Sequence, residues 1–113
     1  MTGVQTCALP ISRLLIPGLR VELQQTRYRP AVVLSPASYN GKTGLMVCCP
    51  MTTKIKGHPF EVVAQVDGVD CAVLSDQVKS LDWKVRQAKK KGVVSAEVML
   101  HVRAKMKALL QIP

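Results

Sequence analysis

Three polar clusters interrupt the apolar stretches of this chain, and each falls at the expected end of a strand, where a rigid scaffold presents function. Arg27-Tyr28-Arg29-Pro30 precedes one apolar run, Thr52-Thr53-Lys54-Ile55-Lys56 follows the next, and Asp76-Gln77-Val78-Lys79 closes a later one. Arg and Lys neutralise phosphates, while Thr and Gln hydrogen-bond phosphate oxygens or base edges. The chain has no Ser-His-Asp arrangement and no paired histidines. Phosphoryl chemistry built on these clusters would use Arg for charge and Thr for positioning, without a metal. Taken singly, each cluster has the composition of a solvated loop.

The cysteines and histidines point away from a metal centre. Cys7, Cys48, Cys49 and Cys71 form no C-x-x-C, and neither His58 nor His101 extends them into a ligand pattern. Cys48 and Cys49 are neighbours on an expected strand, so their side chains point to opposite faces and cannot share one ion. Reduced thiols in a cytoplasmic protein are the expectation, and no cofactor is implied.

The elements that must hold the clusters are short strands. Ala31–Leu34 is a continuous apolar run bounded by Pro30 and Ser35-Pro36, the pattern of a buried strand. Tyr39–Gly44 has turn chemistry, with Asn40-Gly41 joining two strands. Leu45–Cys49 is the second strand, closed by Pro50; Phe60–Ala64 is a third; Asp67-Gly68 turns the chain into a fourth at Cys71–Leu74. Leu81–Arg86 is extended or a short helical turn around the single Trp, Trp83. Lys89–Lys91 with Gly92 makes a basic turn before a last short strand at Val93-Val94. Ser95 is an N-cap, Glu97 suits the first helical turn, and Val98, Val102, Met106 and Leu109 recur at helical spacing. The expected fold class is mainly β, a small α+β barrel or curled antiparallel sheet with a C-terminal helix covering it.

Composition bounds the function. With 113 residues there is room for one domain. Aromatics are only 4%, so aliphatic side chains and Met must fill the core. Sixteen Lys and Arg against seven Asp and Glu leave a formal charge of +9, which favours an anionic partner. No apolar run approaches the ~20 residues of a membrane-spanning helix. Residues 1–12 have no basic segment of the kind that opens a signal peptide and resemble translated vector or adapter sequence. No strand develops before about residue 25, so the expected organisation is a doubtful segment over 1–25 and a domain over 26–113.

The string Arg29-Pro-Ala-Val-Val-Leu-Ser-Pro, then Pro50-Met-Thr-Thr, then Ser75-Asp-Gln-Val-Lys-Ser resembles the MazF/PemK toxins of bacterial type II toxin–antitoxin pairs. The likeness runs from about residue 29 to 110. Arg-Pro before a strand, Pro-x-Thr after the next and Asp-Gln-Val-Lys later form an ordered triplet that no single piece would make specific. The resemblance implies SH3-like barrels paired as a homodimer, and a growth-inhibiting, sequence-specific endoribonuclease. Such an enzyme cleaves single-stranded RNA without metal through the substrate's own 2′-OH, leaving a 2′,3′-cyclic phosphate and a 5′-OH. It further implies neutralisation by a cognate antitoxin with an acidic C-terminal segment, and no membrane partner.

Carried over by position, Arg29 and Thr52 resemble the catalytic residues, Arg29 stabilising charge on the phosphorane-like state and Thr52 bonding the scissile phosphate. Thr53, Lys54, Lys56, Asp76, Gln77 and Lys79 fall in segments that resemble RNA-contacting loops. The chain departs from the family pattern upstream of Arg29. A Gly-Asp-Ile-Val-Trp-Val strand is absent, so the first barrel strand is expected to be missing or replaced. Gln24 stands at the position of the family's loop Glu, and Glu22 is the nearest carboxylate, which makes this pair the remnant of an acidic loop. The alternative is a catalytically impaired module that still binds RNA or antitoxin; nothing in the sequence favours a gyrase-blocking toxin of the related barrel type.

Overall fold

A computed structural model describes residues 14–23 and 29–113. Among these residues seven strands and two helices follow in the order β1 (Leu19–Leu23), β2 (Arg29–Val33), α1 (Ala37–Thr43), β3 (Leu45–Thr52), β4 (Glu61–Val66), β5 (Val69–Leu74), β6 (Lys79–Asp82), β7 (Lys89–Val93) and α2 (Ala96–Leu110). The pairs are all antiparallel, in the spatial order β4-β5-β3-β2-β1-β7, with β6 joined to the opposite end of β3 from β5. The sheet curls into a half-barrel and agrees with the mainly β expectation.

β1 is the largest departure from the sequence reading. Leu19, Val21 and Leu23 are buried and alternate with half-exposed Arg20 and Glu22, the period-two pattern of a strand with one face in a core. The slot of the family-type first strand is therefore filled by Leu-Arg-Val-Glu-Leu, which pairs with both β2 and β7. Gly18 starts it at φ +92°, and a Cβ there would meet Met99 Cγ at 3.3 Å; a left-handed residue without a side chain is needed at this crossing.

Three further expectations are corrected. Asn40-Gly41 is not a hairpin turn but the middle of α1, whose chain reverses instead at Gly44, in the left-handed conformation with its N–H bonded to the Asn40 carbonyl. Lys89–Lys91 is not a basic turn but most of β7, held extended by the ladder with β1. Pro50 does not close β3, which runs on to Thr52. Proline is tolerated there because β6 pairs with β3 only as far as Cys48 and β5 takes over at Met51, so no ladder partner needs the missing N–H.

The core is split across the sheet. Leu15, Leu19, Val21, Leu23, Ala31, Val33, Met46, Cys48 and Trp83 pack on one side. Val32, Cys49, Met51, Val62, Val73 and Val94 pack with Met99 and Val102 of α2 on the other. Cys48 and Cys49 thus enter opposite clusters, as their adjacency requires. Ser95 caps α2 by accepting the Val98 N–H at 3.2 Å, but the inward stripe is Met99 and Val102 flanked by Val98 and Met106, while Leu109 is exposed.

A buried polar node ties the first cluster together. The Asn40 amide donates to the carbonyls of Leu15 (2.7 Å) and Ser35 (3.0 Å). Its Oδ1 accepts from the Ser35 hydroxyl at 2.5 Å, and that hydroxyl in turn accepts the Val47 N–H at 2.8 Å. The Asn40 carbonyl accepts the Trp83 indole N–H at 2.8 Å. Asn40→Ala leaves two buried carbonyls without their donor and the Ser35 hydroxyl proton without its acceptor, and is expected to lower stability by about 2–4 kcal/mol in chemical denaturation. Trp83→Phe, which removes one donor from a carbonyl that keeps another, is expected to cost about 1 kcal/mol.

Burial pushes the Cys48 thiol up to about 11, the cations Lys79 and Arg86 moderating the rise. It pushes Cys49 up to about 12, with Cys48 and Asp76 adding to the effect. Above the ordinary thiol value of 9.0 the unfolded chain releases these protons before the folded chain does, so folding weakens as pH rises. The stability advantage of the wild type over a Cys48→Ala/Cys49→Ala variant is expected to shrink between pH 8 and 11, measured by urea denaturation at each pH.

Candidate nucleic-acid interface and active site

Of the residues that sequence spacing singles out, Glu22, Arg29, Thr52 and Thr53 lie where β1, β2 and β3 end together. The β2–β3 register pairs Ala31 with Pro50; continued outward, it aligns the Arg29 backbone with Thr52. On its other side Arg29 pairs with Leu23, and Glu22 pairs with Pro30. The Arg29 side chain, like Gln24, Arg27 and Tyr28, lies outside the described residues. A cleft of about 820 Å³ opens at these strand ends, lined by Arg20, Glu22, Pro30, Thr52, Thr53 and Lys91, with Met51, Val66 and Cys71 giving it an apolar floor.

Thr52 is half-buried, and its Oγ1 accepts the Lys54 N–H at 3.1 Å. That bond fixes the hydroxyl as the chain leaves β3 and leaves its own proton without an acceptor among the described residues. Glu22 stands in the cleft 3.6 Å from the Lys91 ammonium, with both side chains about a third to a half exposed. A pair so open to solvent adds little stability, and the carboxylate stays accessible from the cleft. The two ion-pair partners come from neighbouring strands, since Glu22 faces Lys89 and Val21 faces Lys90 in the β1–β7 ladder.

Lys54 and Lys56 do not line the cleft. They lie exposed on the loop that leaves it. Glu61 shapes this loop: its carboxylate accepts the Gly57 N–H at 2.8 Å and the Lys56 N–H at 3.2 Å. Lys105 of α2 adds a second tie by donating to the Pro59 carbonyl. The basic loop is therefore held in one shape by an acid and a cation outside it.

Asp76 and Gln77 occupy the exposed turn that carries the chain from β5 to β6, across the gap in β3 pairing beside Cys49 and Pro50. Lys79 follows, opposite Cys48. These three are not among the residues that line the cleft. The sequence reading missed Arg20, Lys91 and Cys71 as cleft residues. The signal for Arg20 was present, because the alternation from Leu19 to Leu23 marks a strand with Arg20 and Glu22 on its open face; Lys91 was obscured by treating the lysine run as a turn. Among the described residues no three His, Cys, Asp or Glu side chains converge as metal ligands, and no helix is long and apolar enough to cross a membrane.

Comparison with known proteins gives this geometry a family. The model of PemK-like, MazF-like toxins of type II toxin–antitoxin systems matches residues 17–110, which includes β1. The endoribonuclease toxin MazF of Escherichia coli K12 is 49% identical over 87 residues, covering 77% of this chain and 78% of that protein. Among solved structures, a MazE–MazF complex from Deinococcus radiodurans superposes with a TM-score of 0.82 at 46% identity, over 87% of this chain and 96% of that one. MazF alone from the same organism superposes with a TM-score of 0.79 at 43% identity, over 86% and 96%. The chain belongs to the PemK-like, MazF-like toxin family.

Proposed function

We propose that this protein is a sequence-specific endoribonuclease that cuts single-stranded mRNA by transesterification, without a metal. The observation that carries the reading is the β2–β3 register, which ends at Ala31–Pro50 and, continued by two residues, sets Arg29 opposite Thr52, in a cleft lined by Thr52, Pro30 and Glu22. In the proposed reaction the ribose 2′-OH attacks the adjacent phosphorus. The bond to the leaving 5′-oxygen breaks and that oxygen takes a proton from water, giving a 2′,3′-cyclic phosphate and a 5′-OH. Arg29 stabilises the added negative charge of the five-coordinate state, where a planar bidentate cation is most effective. The free Thr52 proton bonds a non-bridging oxygen. Glu22 accepts the 2′-OH proton, the role left open by Gln24 in place of the family's acid. Thr53, Lys54 and Lys56 carry the strand away from the cut, while Asp76, Gln77 and Lys79 contact it from the neighbouring turn.

The resemblance to MazF, found in complex with MazE in Deinococcus radiodurans, supports a cognate antitoxin whose acidic segment competes for the same cleft. It also supports a homodimer acting in the cytoplasm, where the mRNA is. Single-stranded RNA incubated with the purified protein in EDTA is expected to yield discrete fragments with 5′-OH ends. Arg29→Ala and Thr52→Ala are each expected to slow cleavage by about 10²–10⁴-fold, with Glu22→Gln in the same range. Intact RNA in the presence of folded protein, or cleavage unchanged by Arg29→Ala, would overturn the reading. Salt-sensitive RNA binding without product would instead identify the impaired binding module.

A further inference from the structure

We infer that Arg20 binds a phosphate of an RNA strand that continues past the cleavage cleft, and that the adjoining hollow receives the nucleotide beyond it. The inference rests on the endoribonuclease reading and concerns a part of the surface which that reading does not use. A second hollow of about 270 Å³ lies beside the cleft. The two share Arg20, Val66 and Asp67 in their walls, so Arg20 stands at their junction.

The side chain is built in rather than left waving. Arg20 projects from the open face of β1, at the point where the β1–β7 register slips. Across the ladder stands Gly92, and a Cβ on that residue would come within 2.5 Å of Arg20 Nη2 and 3.4 Å of Cζ. The guanidinium therefore lies against bare backbone, in space that any larger residue would take. It donates one long bond, 3.4 Å, to the Lys91 carbonyl. Among the described residues no carboxylate pairs with it. A half-buried guanidinium with most of its N–H groups uncommitted among the described residues is an anion site in waiting, and its fork matches the oxygens of a phosphate.

The walls of the second hollow favour a nucleotide over a second anionic group. Val66, Val93, Val94 and Val98 give it an aliphatic patch, and the larger part of its wall is polar, supplied by Gln65, Asp67, Ser95 and Arg20. The aliphatic patch suits the flat face of a base, and the amide, hydroxyl and carboxylate around it suit its hydrogen-bonding edge. Asp67 in the wall would repel a carboxylate-rich peptide, whereas it can accept from the amino group of a base. The volume has room for one base with its sugar, so the strand would be gripped on one side of the cut by a single further nucleotide.

The test uses fluorescence anisotropy with labelled, mixed-sequence 2′-O-methyl RNA 12-mers and 4-mers, which the enzyme cannot cut. Arg20→Gln is expected to weaken 12-mer binding about tenfold at low salt and to reduce the salt slope by about 1, as loss of one phosphate contact should. The 4-mer, too short to fill both hollows, should be affected less. Gly92→Ala, which keeps the charge but displaces the guanidinium, should move affinity the same way, and Arg20→Lys should restore part of it. In cleavage of a long RNA, Arg20→Gln should raise KM and leave kcat within about twofold, unlike Thr52→Ala. Thermal melts establish that each variant is folded. If the wild type binds RNA and Arg20→Gln binds both lengths with the same Kd and salt slope, the inference fails alone. If the wild type binds no oligonucleotide, the nuclease reading fails with it. Unchanged RNA binding with lost affinity for an acidic peptide would assign Arg20 to the antitoxin and overturn the proposal.

Discussion

The Asn40 side chain holds four parts of the chain at one buried point. It joins the segment before β1 through Leu15 and the exit from β2 through Ser35. It reaches β3 by the Ser35 hydroxyl that accepts from Val47, and its own carbonyl receives the Trp83 indole from the far side of β6. A fully buried primary amide is tolerated only where its donors and acceptor are all matched. The match exists only when these segments stand in their native places, so the node selects one arrangement of an otherwise plain aliphatic core. Through Leu15 it also positions the run into Gly18, whose N–H bonds Val33 and whose carbonyl receives the Val94 N–H. β1 is thereby laid between β2 and β7, which brings Arg20 and Glu22 to the cleft.

The site is made by strand endings. β3 changes partner at Pro50, and each chain that leaves the sheet there must turn outward: β3 into the Thr53–Phe60 loop, β5 into the Asp76-Gln77 turn. Backbone groups at these exits have no ladder partner, so side chains take over the role. Thr52 accepts the Lys54 N–H, and Glu61 accepts those of Lys56 and Gly57. The same constraint that satisfies the backbone fixes where the hydroxyl and the lysines stand. Charge is spread so that repulsion is tempered: Lys91 has Glu22, Lys105 is spent on the Pro59 carbonyl, and Arg20 lies on Gly92 between two hollows.

Local chemistry in the sequence was enough for the parts whose partners are close along the chain. The Asp67-Gly68 hairpin, the Ser95 cap, the opposed faces of Cys48 and Cys49 and the Ala31–Leu34 strand each depend on neighbours within a few residues. The order of Arg29, Thr52 and Asp76-Gln77 was legible too, and with it the family. The net charge of +9 pointed to a polyanion without saying where it would lie.

Tertiary structure decided the rest, because the deciding bonds are long-range. Asn40 prefers a turn when judged by its neighbours, yet its amide finds Leu15 twenty-five residues away and the segment becomes a helix. Lys89–Lys91 has no strand propensity, yet β1 supplies a ladder for it. Leu19–Leu23 has a strand's alternation, but only β2 and β7 on either side turn five residues into a barrel member. The sequence by itself determined which chemistry the chain could carry. The fold decided which of those residues share a cleft, since that depends on register between strands and on a buried amide whose partners no local pattern announces.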